Sequence, residues 1–348
     1  MPQYIPGSPW VRCFAARAPG TRGTAVTADA QELREALFRR IHEPSGYRVK
    51  HRLVVLGDLR LEMRAHLGGI SFSEITEDVF CTAPIELTVS GTAVNMAKAA
   101  GSFFSAIDVI VKLGNDSGTE VILRYLRNIP ASWHVSRASS VPNGYVMIMR
   151  DSPLLPAAGR RLLVSGTPTP LNLLSPDDVT GFRTVIEQGN LLFADGYPLL
   201  VTGAREAVLR SLAIARQSGI ASCLDLVPHT IDSYLSREVI LDSMACSDIV
   251  IVEARTLSRL VKLDPLYPVS SRDLPIILER FYSKEKGPDY LILRYGDGDM
   301  AKSAFCCKTE VVLAYPTGYA ECTSPAGFGD RIAAAELATL LEFGLLPT

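Results

Sequence analysis

The residues best suited to chemistry stand where short apolar runs give way to glycine. Late in the chain, Ser324-Pro325-Ala326-Gly327-Phe328-Gly329-Asp330 opens an Ala- and Leu-rich run that reads as a helix. Glycines let the backbone approach a ligand closely, and the unpaired N–H groups and dipole of a helix N-terminus favour an anion. The same residues would serve equally as a glycine turn before an aspartate-capped helix, which needs no ligand. Three more strand ends share this build: Ser90-Gly91 ahead of Asn95, Gly114-Asn115-Asp116 with Gly118, and Gly296 with Gly298. Gly57-Asp58-Leu59-Arg60-Leu61-Glu62 adds two carboxylates and a cation after the first apolar run.

Several common chemistries have no motif here. The sequence contains no GxxxxGK[ST], no GxGxxG after the first strand, no HExxH, no GxSxG and no protein-kinase catalytic loop. The five histidines, at 42, 51, 66, 134 and 229, lack metal-ligand spacing. Seven cysteines are scattered without a CxxC pair, which points to a reduced chain with buried thiols. With 35 Lys and Arg against 37 Asp and Glu, the net charge of −2 gives no field to recruit nucleic acid or an anionic membrane. Proline at 2, 6 and 9 replaces the apolar run of a signal peptide, and no stretch has transmembrane length, so a cytoplasmic chain is expected.

An α/β framework must hold these residues. Apolar strand-like runs recur at 52–58, 106–116, 161–166, 190–196, 221–227, 247–254 and 289–298, with amphipathic helical segments between many of them. That alternation predicts a mostly parallel sheet covered by helices on both faces. Residues 68–91 and 143–166 break the pattern and read as extended hairpins, the material of a small β lid. A Pro- and Gly-rich leader comes first, followed by one helix over 27–41 with Leu33, Leu37 and Ile41 on one face.

The order of these features resembles the PfkB, or ribokinase-like, family of carbohydrate and nucleoside kinases, from about Arg52 onward. The segment 324–330 occupies the frame of that family's D-T-x-G-A-G-D, and Ser90 to Asn95 that of its G-G-x-x-x-N. The resemblance implies a ribokinase-like three-layer α/β/α fold with a mostly parallel central sheet and a small β lid. Residues 1–50 would be an extension, and 51–348 the kinase domain. It implies transfer of the γ-phosphate of ATP, with Mg2+, to a hydroxyl of a sugar, nucleoside or sugar-like metabolite. Asp330 would be the base, and the backbone of Gly327, Phe328 and Gly329 the anion hole. Arg60, Glu62, Gly91 and Asn95 would bind substrate, and Arg294, Gly296, Gly298 and Ala326 the nucleotide. Lid strands in this family often pair between subunits, so a homodimer is a further expectation.

Departures from the family pattern leave a second reading open. Where the resemblance implies N-x-x-E, the frame holds Val252 and Arg255, leaving Glu253 as the one acid for a metal. Ser324 and Phe328 also replace the usual residues. A catalytically weak relative that binds a nucleotide or sugar as a sensor or assembly partner would fit these losses. Arg60, where the family commonly has a neutral amide, either meets an anionic substrate group or pairs with an acidic neighbour. Only 18 residues follow Asp330, so the helix at 27–41 is expected to occupy space that further helices fill in the family.

Overall fold

Short, wholly buried strands dominate the centre of the molecule. The computed structural model describes residues 30–42, 48–67, 70–151, 161–166, 173–226, 231–263, 268–296, 301–319 and 327–346. The N-terminal part comprises α1 (Ala30–His42), β1 (Val49–Leu56), β2 (Arg60–His66), β3 (Ile85–Ser90), α2 (Thr92–Ala100), β4 (Phe104–Leu113) and α3 (Gly118–Leu126). Next come β5 (Ser132–Arg137), β6 (Gly144–Arg150), β7 (Arg161–Ser165), α4 (Pro176–Gly181), α5 (Arg183–Glu187), β8 (Leu191–Asp195), α6 (Thr202–Gln217) and β9 (Ala221–Asp225). The rest is α7 (Arg237–Met244), β10 (Ile249–Glu253), α8 (Ala254–Leu260), α9 (Leu274–Tyr282), β11 (Tyr290–Tyr295), β12 (Lys302–Cys307), β13 (Glu310–Pro316) and α10 (Phe328–Glu342).

Nine strands form one sheet in the order β13-β12-β11-β10-β9-β8-β1-β4-β5. Its pairs are parallel except the two made by β12. Strands β8, β9 and β10 are buried at every position, as strands covered on both faces must be. Alternate residues feed two cores. Leu53, Val55, Phe193 and Ile251 pack with α1, α2, α3 and α10, whereas Val54, Leu56, Leu192, Val250 and Val252 pack with α6, α8 and α9. The result is the expected three-layer α/β/α arrangement. Among the described residues, no helix is long and apolar enough to cross a membrane.

A second sheet, in the order β3-β2-β6-β7, forms the lid. Its strands differ from the expected hairpins in one respect. The central strand β2 begins at Arg60, ahead of the stretch 68–91, and residues 70–84 contain no strand but a short 3-10 turn capped by Ser71. The chain therefore leaves the main sheet at Gly57-Asp58-Leu59 and enters the lid at once.

The "GND" stretch ties that lid to the main body. Asp116 accepts hydrogen bonds from the Asn143 backbone N–H at 2.8 Å, the Asn143 Nδ2 at 2.6 Å and the Tyr145 hydroxyl at 3.0 Å. These bonds hold its carboxyl below the usual range although burial alone would raise it. Gly114 is required beside them, since a Cβ there would lie 2.3 Å from the carbonyl carbon of Pro142.

Candidate active site

Carboxylates gather at the carboxyl ends of neighbouring strands, the usual place for a ligand in an open α/β sheet. Asp58 lies just past β1, Asp195 ends β8, Asp225 ends β9 and Glu253 ends β10, and all four are buried. Asp195 and Asp225 are direct neighbours in the β8–β9 register. Asp195 has no solvent exposure, and burial followed by the charge of Asp58 pushes its carboxyl well above the ordinary range. The backbone N–H of Asp58 also donates to Asp195 at 3.5 Å. The backbone N–H of Tyr197 donates to Asp195 at 2.9 Å.

Two helix N-termini face this acidic floor. Gly91 caps α2 at φ 111°, and a Cβ there would sit 2.6 Å from the Asp58 carbonyl oxygen. Gly327 caps α10 in the left-handed conformation at φ 74°, and its open side lies against the Asn95 side chain. The Asn95 side chain also neighbours Asp330, in the first turn of α10, and opposes the rise of its carboxyl. Burial first, and the charge of Asp225 next, push the Asp330 carboxyl up to about 8. Phe328 is buried and packs edge-on against Tyr319 at 5.1 Å, so it anchors the start of α10 and offers a ligand only its backbone.

Arg60 and Glu62 lie on β2, the strand that enters the lid. Of the two roles open to Arg60, the pairing with an acidic neighbour is the one observed: its Nε donates to Asp58 at 2.5 Å and its Nη1 to the Ser165 hydroxyl at 2.6 Å. The guanidinium also lies 6.0 Å from the centre of the Tyr197 ring. Arg60 thereby spans the end of β7 in the lid and the floor beneath it. Glu62 is buried and accepts a bond from the Arg64 Nε. Gly91, Asn95, Gly327, Phe328, Gly329 and Asp330 thus form one mouth, with Arg60 and Glu62 on the strand above it.

The nucleotide-side residues separate. Arg294 is 4% exposed, and its guanidinium is committed to both carboxylate oxygens of Glu336 and to Ser303. The Tyr315 hydroxyl donates to the same Glu336 at 2.5 Å. Arg294 therefore holds the sheet to α10 and points into protein, a correction to its expected contact with nucleotide. Gly296 follows β11 at φ 98°, while Gly298 and Ala326 lie outside the described residues. Val252 is a core residue, so no metal-bound water reaches it. Glu253 stands at the start of α8. Among the described residues, no group of three or more His, Cys, Asp or Glu is arranged to hold a metal by itself.

Asp195, Asp225, Ser165 and Tyr197 adjoin this candidate site and carried no motif in the sequence. The first two had a signal, since each is a carboxylate closing a short, mostly apolar run, "LLFAD" and "ASCLD".

No known family model matches the chain, and no curated protein matches its sequence. Solved structures do match its fold. A PfkB protein from Polaromonas sp. JS666 superposes with TM-score 0.59 at 13% identity, over 84% of this chain and 99% of that one. The adenosine kinase from Sinorhizobium meliloti gives TM-score 0.59 at 15% identity, over 85% and 94%. A protein assigned as a ribokinase II from E. coli, in complex with ATP and Mg2+, gives TM-score 0.61 at 14% identity, over 84% and 86%. The chain has the ribokinase-like fold of the PfkB kinases.

Proposed function

We propose that this chain, which has the ribokinase-like fold, is a phosphotransferase that moves the γ-phosphate of ATP to a hydroxyl of a sugar, nucleoside or sugar-like metabolite. The observation that supports it is the meeting of Gly327 and Asp330, at the start of α10, with the Asn95 side chain of α2. A carboxylate of raised proton affinity beside a helix N-terminus combines the base and the anion site that transfer to an alcohol requires. Asp330 takes the hydroxyl proton as the oxygen attacks. The backbone N–H groups of Gly327, Phe328 and Gly329 face the charge on the transferring group. Glu62, Asn95 and the Gly91 backbone hold the acceptor's other hydroxyls, and the lid excludes water.

ATP supplies the phosphoryl group when bound, and Gly296, with Gly298 beyond it, lets the backbone approach it. Mg2+ keeps several waters and asks only one or two carboxylates of the protein. Asp225 and Glu253, ending the adjacent strands β9 and β10, fit that demand. The reading carries with it a small-molecule partner, no nucleic acid and a cytoplasmic site of action.

A homodimer through the lid belongs to the same proposal. In register across the sheet, Leu87, Met63, Met147 and Val164 form one apolar row, and Ile85, Ala65, Met149 and Leu162 a second. Ile85 is 72% and Leu87 54% exposed, an unusual cost for a monomer and a natural face for a second copy of the same self-complementary sheet.

One observation favours the non-catalytic alternative. Val252 is in the core, and Arg255 stands where the resemblance implies an acid, so metal handling rests on few groups. Thermal shift with ATP and ADP, with and without Mg2+, against a panel of sugars and nucleosides, followed by ADP-release assays, tests both. Turnover that collapses in Asp330→Asn is the expected result. Stabilisation without ADP release would select the non-catalytic relative, and neither binding nor turnover would reject the kinase reading.

A further inference from the structure

The last turn of α1 touches both ends of the segment that carries the candidate anion hole. Leu33, Leu37 and Ile41 form a buried stripe packed into the same core as α10. Arg40 is 2% exposed and donates to the Thr339 hydroxyl at 2.8 Å and to Glu342 at 2.6 Å, fixing the helix along the far half of α10. Arg331, the residue after Asp330, donates from Nη2 to the Ile41 carbonyl. On the other side of the segment, Gly318 turns at φ 77° directly against His42, where a Cβ would lie 3.0 Å from the imidazole Cε1. His42 in turn packs at a tilt against Phe38, with ring centres 4.3 Å apart.

These contacts have a physical logic. The last four carbonyls of a helix lack intrahelical partners and carry the negative end of its dipole. Arg331 satisfies one of them with a charged donor. A cation in the first turn of α10 would by itself oppose that helix's dipole, and pairing it with the end of α1 turns the conflict into a tether. Arg331 is exposed, so it supports no core packing of its own.

We infer that the C-terminal turn of α1 is a brace for the N-terminus of α10, with Arg331 as the positioning residue, so that docking of α1 and occupancy of that N-terminus by an anion are coupled. The inference rests on the kinase reading for the identity of the anion, and on the tether alone for the coupling. Binding free energies are reciprocal: whatever α1 contributes to holding an anion, the anion returns to α1.

Hydrogen exchange by mass spectrometry on the full chain, with Arg331→Ala and Arg331→Lys, tests it. Without ligand, Arg331→Ala is expected to speed exchange of peptides spanning 317–331 and 30–42 about tenfold, leaving the α6 peptide 202–217 unchanged, and Arg331→Lys to restore most of the protection. With Mg2+ and ADP as the probe, the wild type should show slower exchange in α1, and Arg331→Ala should bind about tenfold more weakly. Unchanged exchange at 317–331 in ligand-free Arg331→Ala overturns the brace, as does acceleration that includes α6. Weaker ADP binding with unchanged loop exchange would place Arg331 on the nucleotide itself and also overturns it. A wild type that ignores ADP would sink the kinase reading, while the ligand-free exchange still decides the brace.

Discussion

Gly327, the N-cap of α10, stands open against the side chain of Asn95, 3.5 Å from where a Cβ would lie, so the first turn of α2 and the first turn of α10 meet over the acidic ends of the central strands. Under the proposed chemistry this meeting sets Asp330, as the base, beside the anion site. Asp330→Asn keeps the shape and removes the proton acceptor, so turnover should fall about 1,000-fold or more. Thermal stability should hold below about pH 8 and rise above it, where the substitution removes the repulsion of an ionised Asp330 by Asp225 and Asp58. A coupled ADP-release assay beside a melting curve reads both, and retained turnover would remove Asp330 from the mechanism.

Acidity follows from the same group. Asp330 keeps its proton in the folded chain up to about pH 8, whereas an unfolded aspartate releases it near ~3.9. The folded state therefore binds an extra proton across that window, and this stabilisation is full below the lower value and lost as pH rises through the upper. Asp195, also raised, acts with the same sign. Urea midpoints should decline as pH rises toward about 8, more steeply in the wild type than in Asp330→Asn. Turnover should climb over the same range, because a base works only once deprotonated.

The Arg294–Glu336 pair gives a structural prediction. Glu336→Ala leaves a guanidinium buried without its partner and should cost about 3–5 kcal/mol in urea denaturation. The double replacement Arg294→Met, Glu336→Leu should recover most of that loss and leave ADP affinity unchanged. A large drop in ADP affinity with the fold intact would return Arg294 to the nucleotide site.

Two glycines should respond differently to alanine. At Gly91 the new Cβ meets the Asp58 carbonyl oxygen at 2.6 Å, and the positive φ adds strain. Gly91→Ala should cost on the order of 2–3 kcal/mol. At Gly327 the nearest atom is 3.5 Å away, so only the left-handed backbone is penalised, at about 1 kcal/mol. Equal costs at the two sites would contradict this account.

The lid face predicts assembly. Met147→Glu puts a charge in the centre of the row formed by Leu87, Met63 and Val164. Light scattering should show dimers converting to monomers, and a wild type that is monomeric at micromolar concentration would remove the proposed interface.

Much of this architecture was legible in the residues, for physical reasons that also explain the gaps. Continuous apolar runs such as "LLFAD" announce strands covered on both faces, and each of the seven apolar runs carries a strand with ends displaced by a few residues, whereas the first half of the expected hairpin at 68–91 does not. Strands β5, β12 and β13 gave weaker signals because they lie toward the sheet edges, where mixed runs such as "SWHVSR" are half exposed. The mouth at Gly91, Asn95, Gly327 and Asp330 was readable because backbone conformation and helix position depend on local residue type. The fate of Arg294 was not, since its partner Glu336 lies on the opposite side of a helix start that no local pattern connects to β11. Asp195 was overlooked for the same reason: its meaning comes from Asp58, brought alongside by the pairing of β1 with β8.

The bond from Arg40 to Thr339 joins residues 299 positions apart. During synthesis the oily stripe of α1 emerges long before the helix that covers it, and at ~5–20 residues per second the wait lasts tens of seconds. Until then Leu33, Leu37 and Ile41 have no native surface to occupy. The last stage of maturation is therefore a closure of early chain upon late chain, and it falls next to the candidate phosphate cradle. Chaperone dependence of the newly made chain should accordingly concentrate in this one helix.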